Sequence, residues 1–184
     1  MSESFIYGNY ISESLCDELI EAWENDSHKS RFDEKRGYHR INDFQIEDQG
    51  LIRRYVDEVQ KIEGQYRKKY PYINQMTKWG LMSPFNLQKY EPGYAYNPIH
   101  IEDGGPKDMK IQRILTFTTY LNDIEVDGET EFVTQKVKVK PKKGLTLIFP
   151  AQWTHPHRGI AAPNEVKYIA TGWFSFHFKA KKVD

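Results

Sequence analysis

The feature that most constrains this chain is a series of short β-type segments between about Trp79 and residue 178. β-Branched and aromatic residues are frequent in each segment, and Gly, Pro, Asn or Asp separates it from the next. Strands are predicted at residues 85–90, 113–121, 129–132, 136–140, 145–149 and 167–178. Short strands at this spacing predict a sandwich or a double-sheet jelly roll, the cupin-like fold also called a double-stranded β-helix.

The N-terminal 70 residues have a different pattern, which predicts two amphipathic helices. Ser12 can cap the first helix, and the second ends before Pro71. We therefore expect a mostly β protein of the α+β class, with one domain over residues 1–184. Within this domain, residues 1–75 are expected to form helices that support a jelly-roll core at residues 79–178. Each helix carries its apolar residues on one face: Leu15, Leu19, Ile20 and Trp23 in the first, and Leu51, Tyr55, Val59, Ile62 and Tyr66 in the second.

Composition argues against several classes of partner. Lys and Arg total 26, as do Asp and Glu, so the zero net charge gives no electrostatic reason to expect nucleic acid or an anionic membrane. No apolar run approaches the ~20 residues of a membrane span, and the segment MSESFIYGNY does not resemble a secretory signal. With Cys16 as the one cysteine, no internal disulfide forms, so we expect a cytoplasmic setting, or the host cytoplasm if a phage encodes the chain.

A histidine and a carboxylate two residues apart form the first candidate metal-binding pair. Residues i and i+2 of an extended segment point to the same side, so His100 and Glu102 can bind one ion. Asp103 would point away unless the segment has already ended, and it stays an alternative carboxylate ligand. Two histidines and one carboxylate are typical of non-haem Fe(II) oxygenases. The second histidine is either His155 or His157, which lie on the same face of an extended segment.

A lysine on the last predicted strand indicates a second component of the site. In VKYIATGWF, the residues Lys167, Ile169, Thr171 and Trp173 alternate and therefore share one face. A lysine on an inward, largely apolar face is costly unless an anion meets its charge. A dicarboxylate would supply that anion if its 2-oxo acid end chelates the metal and its distal carboxylate pairs with Lys167. The alternative is a lysine at the strand edge whose amine reaches water.

Together these residues resemble the catalytic core of the prolyl 4-hydroxylase-type Fe(II)/2-oxoglutarate-dependent oxygenases, above all the short forms of bacteria and phages. The resemblance extends from about Phe85 to His177, about half of the chain. The spacing of ten residues to Lys167 favours His157 over His155 as the second iron ligand. The shared elements follow in order and at matching spacing: Tyr90 ten residues before His100, the pair His100 and Glu102, Arg113 through Tyr120-Leu121-Asn122, the turn at 127–132, Pro141 to Gly144, Phe149-Pro150, and then His157, Gly159, Lys167 and Trp173.

The resemblance implies that Fe(II) is held by His100, Glu102 and His157, with 2-oxoglutarate as co-substrate, O2 as oxidant and ascorbate as an additional reductant. The family usually has Asp where this chain has Glu102, whose extra methylene lengthens the reach to the metal; because a carboxylate is present, a halogenase-like site is disfavoured. Further roles are implied by position: Lys167 and Tyr120 at the distal carboxylate of 2-oxoglutarate, Tyr90 near the co-substrate or the oxygen-binding region, Thr171 at a metal-bound water, Trp173 among the co-substrate residues, and Arg113 at the metal carboxylate or the substrate.

By the same resemblance, the activity is that of a dioxygenase that hydroxylates a prolyl residue in a peptide or protein. Tyr94, Tyr96 and residues near 28–40 are then expected to contact the peptide, although the polar pattern between Arg31 and Arg40 taken alone favours a solvated loop. Two alternatives stay open: a hydroxylase of a free amino acid, a nucleobase or another small molecule, and a jelly-roll module that binds metal without turnover. Lys167 argues against the second alternative, because a pure metal binder needs no buried cation there.

Overall fold

The computed structural model describes residues 3–34, 37–103 and 112–176 and consists of two antiparallel sheets with two helices on the outside of the larger one. Short 3-10 helices lie at Ser27–Lys29, Asp43–Gln45 and Pro71–Gln75. The helices are α1 (Glu13–Asn25) and α2 (Gln49–Lys69). The strands are β1 (Tyr7–Tyr10), β2 (Arg31–Asp33), β3 (Tyr38–Asn42), β4 (Trp79–Tyr90), β5 (Arg113–Tyr120), β6 (Thr130–Phe132), β7 (Val137–Val139), β8 (Leu145–Pro150), β9 (His157–Gly159) and β10 (Lys167–Phe176).

The two sheets have the arrangement expected of a jelly roll. The larger sheet has the strand order β1-β8-β5-β10-β4-β3-β2, and the smaller one has the order β7-β6-β9. Every strand pairing in both sheets is antiparallel. Phe132 of the smaller sheet packs with Tyr120, Leu147 and Phe149 of the larger one, so the sheets share a core at one end. The predicted jelly roll with N-terminal helices is therefore confirmed.

Both predicted helices are present and pack on the outer face of the larger sheet. The five apolar residues predicted for the face of α2 are all buried, and in α1 the predicted residues are buried except Ile20, which is half-buried. Ser12 occupies the N-cap position, but its hydroxyl pairs with that of Ser14 at 2.7 Å instead of a backbone amide. Tyr55 ties α2 to the sheet, because its hydroxyl donates to Thr119 at 2.8 Å. No helix within the described residues is long and apolar enough to cross a membrane.

Several strands were outside the predicted set. The six predicted strands are present with shifts at their ends; residues 177 and 178, predicted to extend β10, lie outside the described residues. Strands β1, β2, β3 and β9 were not predicted. The interpretation of residues 31–40 as a solvated loop is wrong, because β2 and β3 form a hairpin there and Tyr38 and Ile41 are buried; Lys35 and Arg36 lie outside the described residues. Strands of three to five residues have too little local pattern to be recognised without their pairing partner.

Strand β10 has two faces with different environments. Ala170 and Phe174 belong to the core beneath the helices. The four residues predicted to share the other face all line a cleft between the two sheets: Lys167, Ile169, Thr171 and Trp173. Gly172 lies on the helix-facing side, where a Cβ atom would come within 2.6 Å of the Cβ of Phe85 and 2.7 Å of the Phe117 ring. A glycine at this position therefore allows β10 to sit close to the aromatic core.

Alanine substitutions at two glycines should change stability in opposite directions. A methyl group at Gly172 overlaps the side chains of Phe85 and Phe117, and overpacking of this kind costs about 1–3 kcal/mol. A Cβ at Gly64, within α2, meets no atom within 4 Å, and alanine is favoured over glycine inside a helix by about 0.5–1 kcal/mol. Urea unfolding should show a lower free energy of unfolding for Gly172→Ala and a higher one for Gly64→Ala. A Gly172→Ala variant as stable as the parent would contradict the packing argument.

Candidate metal centre and co-substrate cleft

A cleft of about 560 Å³ opens between the two sheets. All eight residues predicted for the site line it: His100, Glu102, His157, Lys167, Tyr120, Tyr90, Thr171 and Trp173. The cleft also contains residues to which the sequence assigned no role: Asn42, Asn86, Gln88, Thr118 and Thr130. These residues come from four strands, β3, β4, β5 and β6, and period-two alternation along each strand was the one available signal.

Three side chains converge at one end of the cleft. The backbones of His100 and His157 form an isolated antiparallel bridge, with reciprocal N–H to O=C hydrogen bonds of 3.0 and 2.9 Å. Glu102 Oε1 lies 3.6 Å from Nε2 of each histidine, and one donor atom of each of the three residues lies within 4.8 Å of the others. Asp103 and His155 are not part of this group. The segment carrying His100 is therefore held by a single bridge to β9 rather than by the regular strand assumed for the pair.

The hydrogen bonds of the two histidines leave their Nε2 atoms available for a metal. His100 Nδ1 lies 3.0 Å from the carbonyl oxygen of Pro98, and His157 Nδ1 lies 3.0 Å from that of His155. Because a carbonyl can only accept, each Nδ1 carries the hydrogen and each Nε2 has a free lone pair in the neutral imidazole. Two imidazole nitrogens and one carboxylate oxygen that converge in this way are the donor set that suits non-haem Fe(II).

Glu102 is held in place by three contacts outside the histidine pair. The indole N–H of Trp173 donates to Oε2 at 2.9 Å, and Arg113 donates to the backbone carbonyl of Glu102 at 2.7 Å while its guanidinium lies 3.6 Å from Oε2. The same guanidinium stacks on the Trp173 ring at 3.6 Å. Burial acts to raise the pKa of the Glu102 carboxyl, but hydrogen bonds and charge from the protonated forms of His100 and His157 outweigh it and hold the pKa well below its ordinary value. Glu102 is therefore a carboxylate with Oε1 turned toward the histidines.

His155, the alternative ligand, points away from the cleft. Its Nε2 lies 2.8 Å from the carbonyl oxygen of Ser4, and its Nδ1 lies 2.9 Å from the hydroxyl of Thr154. Burial lowers the pKa of His155, which favours the neutral ring. One ring nitrogen is thus engaged by the N-terminal segment and the other by the adjacent threonine, and the contribution of His155 to the metal end is the backbone carbonyl that orients His157.

The other end of the cleft contains a buried lysine with little compensation. Lys167 is 4% exposed, and its Nζ donates to the carbonyl of Gly128 at 3.1 Å. Burial lowers the pKa of Lys167 to about 8, against a smaller raising effect from the charge of Glu129. Among the described residues, no carboxylate forms an ion pair with this amine. Tyr90 lies opposite Lys167 in the register of β4 and β10, with its ring centroid 5.2 Å from Nζ.

Hydroxyl groups surround the cleft between its two ends. Tyr120 is buried, which raises the pKa of its phenol, so the phenol stays protonated and donates to Thr130 at 2.7 Å. The Thr130 hydroxyl accepts this bond and keeps its own hydrogen for another acceptor. Thr171, predicted near a metal-bound water, donates to the carbonyl of Phe117 at 3.0 Å. Tyr90 donates to the side chain of Gln88 at 2.9 Å.

Of the residues expected to contact a peptide, some line the cleft and others do not. Tyr96 lines the cleft, with its ring 4.4 Å from that of His100. Tyr94 is largely exposed and lies close to Gly37, where an added Cβ would meet the Tyr94 ring at 3.1 Å. Arg40 of β3 also lines the cleft, unlike the exposed Arg31 of β2.

Comparison with known proteins agrees with this geometry. The model of the 2OG-Fe(II) oxygenase superfamily matches residues 85–175, a segment that includes the histidine pair, the carboxylate and the buried lysine. The chain belongs to this superfamily. Among curated relatives, prolyl 4-hydroxylase 5 of Arabidopsis thaliana is 27% identical to this oxygenase over 203 residues, which cover 94% of the chain and 68% of the relative. The oxygenase is thus of the prolyl 4-hydroxylase type.

Solved structures show the same fold. The viral collagen prolyl hydroxylase of Paramecium bursaria Chlorella virus-1, in its 2-oxoglutarate complex, superimposes on the oxygenase with a TM-score of 0.71 at 24% identity, over 94% of this chain and 97% of that one. A prolyl-4-hydroxylase of Pseudomonas putida has a TM-score of 0.71 at 18% identity, over 95% of this chain and 94% of that one. At these identities the likeness establishes the fold.

Removing the two neighbouring histidines should have different effects on metal binding. His157→Ala should abolish Fe(II) binding, because it deletes a converging nitrogen, whereas His155→Ala should keep a substantial fraction, because its ring bonds Ser4 and Thr154 instead. The measurement is metal content after anaerobic equilibrium dialysis, with circular dichroism to compare folding. Loss in His155→Ala together with retention in His157→Ala would reverse the ligand assignment.

The adjacent acidic residues provide a matched pair for the same measurement. Glu102→Ala should lose Fe(II) affinity and Asp103→Ala should retain it, because only the Glu102 carboxylate faces the histidines. Glu102→Asp should keep part of the affinity, since the charge stays but the carboxylate is one methylene further from Trp173 and the histidines. Equal losses in Glu102→Ala and Asp103→Ala would contradict this assignment.

Proposed function

We propose that this protein is an Fe(II)- and 2-oxoglutarate-dependent dioxygenase that hydroxylates a prolyl residue in a peptide or protein, with His100, Glu102 and His157 as the iron ligands. The observation that carries the proposal is the buried, uncompensated amine of Lys167 in the same cleft as the metal-binding triad. A module that only binds metal has no use for a cation that burial destabilises. A dicarboxylate bound between the triad and Lys167 would neutralise that charge.

The residues of the cleft fit 2-oxoglutarate in a defined orientation. Lys167 and the hydroxyl group of Thr130, which the phenol of Tyr120 holds in place, would bind its distal carboxylate, which leaves the 2-oxo acid end toward His100 and His157. Iron, when bound, would supply the activation of O2 and the oxidation of the C–H bond. Tyr90 and Trp173 would enclose the co-substrate, with Trp173 acting through the Glu102 carboxylate. On β10, Thr171 lies between Lys167 and Trp173, where it would orient a water molecule.

The prolyl substrate is supported by the names of the relatives and by the open cleft. The Arabidopsis relative and both solved neighbours are prolyl hydroxylases, and one of them acts on collagen. The cleft of about 560 Å³ is larger than a five-carbon dicarboxylate needs, and Tyr96 lines it beside His100. Arg113 stacks on Trp173 at the metal end, where it would also face the substrate. Ascorbate would serve as a reductant that keeps the iron in the Fe(II) state.

The direct test is product formation from proline peptides. The iron-loaded protein, with 2-oxoglutarate and ascorbate, should release succinate and add the mass of one oxygen atom to proline-containing peptides but not to the same peptides with alanine in place of proline. Free proline and other free amino acids, assayed in parallel, distinguish a small-molecule hydroxylase. Oxygen insertion into free amino acids with no change in any peptide would replace the peptide substrate by a small molecule.

Neutralising Lys167 should weaken 2-oxoglutarate binding without affecting iron. A charge-assisted hydrogen bond in a buried site is worth about 1.5–3 kcal/mol or more, so Lys167→Ala should reduce the affinity roughly ten- to a thousandfold, and Lys167→Arg should restore part of it. The measurement is titration of the anaerobic Fe(II) protein with 2-oxoglutarate, followed by the metal-to-ligand charge-transfer absorption.

Lys89→Ala is the matched control, since Lys89 lies on neighbouring β4 and pairs with Glu24 on the helix side. Unchanged affinity in Lys167→Ala would favour a metal-binding module.

The same lysine predicts how 2-oxoglutarate binding depends on pH. The pKa of Lys167 in the folded protein, about 8, lies below its ordinary value of 10.5, so the amine loses its proton as the pH rises through about 8, and the affinity for the dianion falls. A bound carboxylate favours the charged amine and raises its pKa, so binding at about pH 9 takes up close to one proton and binding at about pH 6 takes up none. Calorimetric titration in buffers of different ionisation enthalpy measures this uptake. Uptake that persists in Lys167→Ala would assign it to another group.

A further inference from the structure

The cleft has a polar wall beside the metal and co-substrate residues. Strands β3 and β4 form this wall, and their register places Arg40 opposite Gln88 and Asn42 opposite Asn86. Directly opposed residues of an antiparallel pair project to the same side of the sheet, and all four line the cleft. None of the four is needed to hold iron or 2-oxoglutarate in the function proposed above.

Arg40 brings an uncompensated positive charge to this wall. Its guanidinium forms no hydrogen bond or ion pair with any residue in the part of the chain that the structure describes. Arg31 of β2 lies directly opposite Arg40 in the register, but it is exposed and does not line the cleft. Among the described residues of β2 and β3, the one carboxylate on this face is Asp33, which lies two register pairs further along, opposite Tyr38. The wall therefore favours an anion.

Asn86 is a second group on the wall that lacks a partner. It is 6% exposed and lines the cleft, yet its side-chain amide bonds no described residue. The neighbouring Gln88, by contrast, accepts the hydroxyl of Tyr90 at 2.9 Å. Buried amides are normally hydrogen-bonded, and an amide both donates and accepts, as a peptide group does. The unpaired amide of Asn86 is therefore suited to the backbone of a bound peptide.

The position of the wall fits a substrate that lies next to the co-substrate. Asn86 lies opposite Thr171, two residues before the Trp173 that bonds Glu102. Asn86 is one strand away from β10 and Arg40 is two strands away, which corresponds to about 5 and about 10 Å between backbones. A peptide amide at Asn86 would thus lie near the metal end, with Arg40 within reach of the adjacent residue.

We propose that Arg40 and Asn86 form a substrate subsite in which Asn86 holds a peptide group next to the target proline and Arg40 binds a carboxylate on the neighbouring residue. The proposal rests on the prolyl hydroxylation proposed above and adds a charge preference to it: acidic proline peptides over neutral ones, and neutral over basic ones. The carboxylate belongs either to an acidic side chain or to a free chain end, and a guanidinium binds both through the same paired hydrogen bonds.

The preference is measured with proline peptides that differ only in the residue beside the proline, which is Glu, Gln or Lys, each made with an amidated and a free C-terminus. With the iron-loaded protein and saturating 2-oxoglutarate, the KM for the Glu peptide should be roughly ten- to a hundredfold below that for the Gln peptide. Arg40→Gln should remove this difference, and Arg40→Glu should reverse it in favour of the Lys peptide. Arg31→Gln, an exposed arginine on the same hairpin, should keep the order Glu, Gln, Lys.

A substitution at Asn86 and two controls test the rest of the proposed subsite. Asn86→Ala should raise KM for all three peptides by a similar factor, because the peptide group is common to them. Charge-transfer titration with 2-oxoglutarate shows whether each variant is folded. A preference that appears only with a free C-terminus identifies the chain end as the source of the carboxylate. The same KM for all peptides in the parent protein, or an unchanged preference in Arg40→Gln, would overturn the subsite.

Failure of the subsite is distinguishable from failure of the proposed function. Proline hydroxylation without charge preference retains the function and rejects the subsite. If no proline peptide gains oxygen, binding of the same peptides to the Mn(II)- and 2-oxoglutarate-loaded protein decides the matter. Binding of acidic peptides that depends on Arg40 would then support the subsite and reject prolyl hydroxylation, whereas binding that is independent of charge would reject the subsite as well.

Discussion

Strand β10 meets two environments at once, because side chains alternate along a strand. One row packs Ala170 and Phe174 into the core beneath the helices, and the other directs Lys167 and Trp173 into the cleft. Gly172 lets the strand approach the aromatic core more closely than any residue with a Cβ atom would. A register shift of one residue would exchange the two rows, burying the lysine under the helices. The apolar core therefore determines which side chains reach the cleft, and through them the chemistry that the cleft can support.

Opposite charges at the two ends of the cleft are compensated to different degrees. Glu102 has two imidazoles, an indole N–H and a guanidinium around it, so it stays ionised despite its burial. Among the described residues, Lys167 has one carbonyl as its hydrogen-bond partner, and its pKa falls to about 8. A protein interior tolerates an unpaired charge only at a cost, so the lysine end is adapted to a bound anion and the carboxylate end to a bound cation. A metal chelated by a dicarboxylate meets both requirements in one complex.

The glutamate in the metal triad is longer than an aspartate and needs more restraint to present one oxygen to a metal. An additional methylene adds a rotatable bond and with it conformational entropy to be lost. Trp173 and Arg113 reduce that freedom: the indole holds Oε2, and the guanidinium bonds the Glu102 carbonyl and stacks on the indole. Oε1 is then directed between His100 and His157. Neighbours around a ligand of this kind commonly set its orientation as strongly as the backbone does.

The polar side chains of the cleft differ in whether the chain itself provides them with hydrogen-bond partners. Within the cleft, Tyr120 bonds Thr130 and Tyr90 bonds Gln88, so these hydroxyls are positioned before any ligand arrives. Toward the hairpin of β2 and β3, Arg40 has no such partner in the described chain. A site in which the chain prepositions some groups and leaves others for a ligand can bind one invariant molecule and a more variable one beside it.

The sequence by itself determined the two helices, the longer strands and the face of β10, because amphipathic period and alternation are local properties that neighbouring residues define. It also made His100, Glu102 and Lys167 candidates for the site by their spacing and by the resemblance to a known family. Only the tertiary structure decided that His157 faces Glu102 while His155 turns to Ser4, since these contacts join segments that are far apart in the chain. The hairpin of β2 and β3, and with it the place of Arg40, was likewise decided by pairing with β4. A short strand has too few residues for a recognisable alternation of apolar and polar positions. Its pairing with a distant strand decides to which side of the sheet its side chains project.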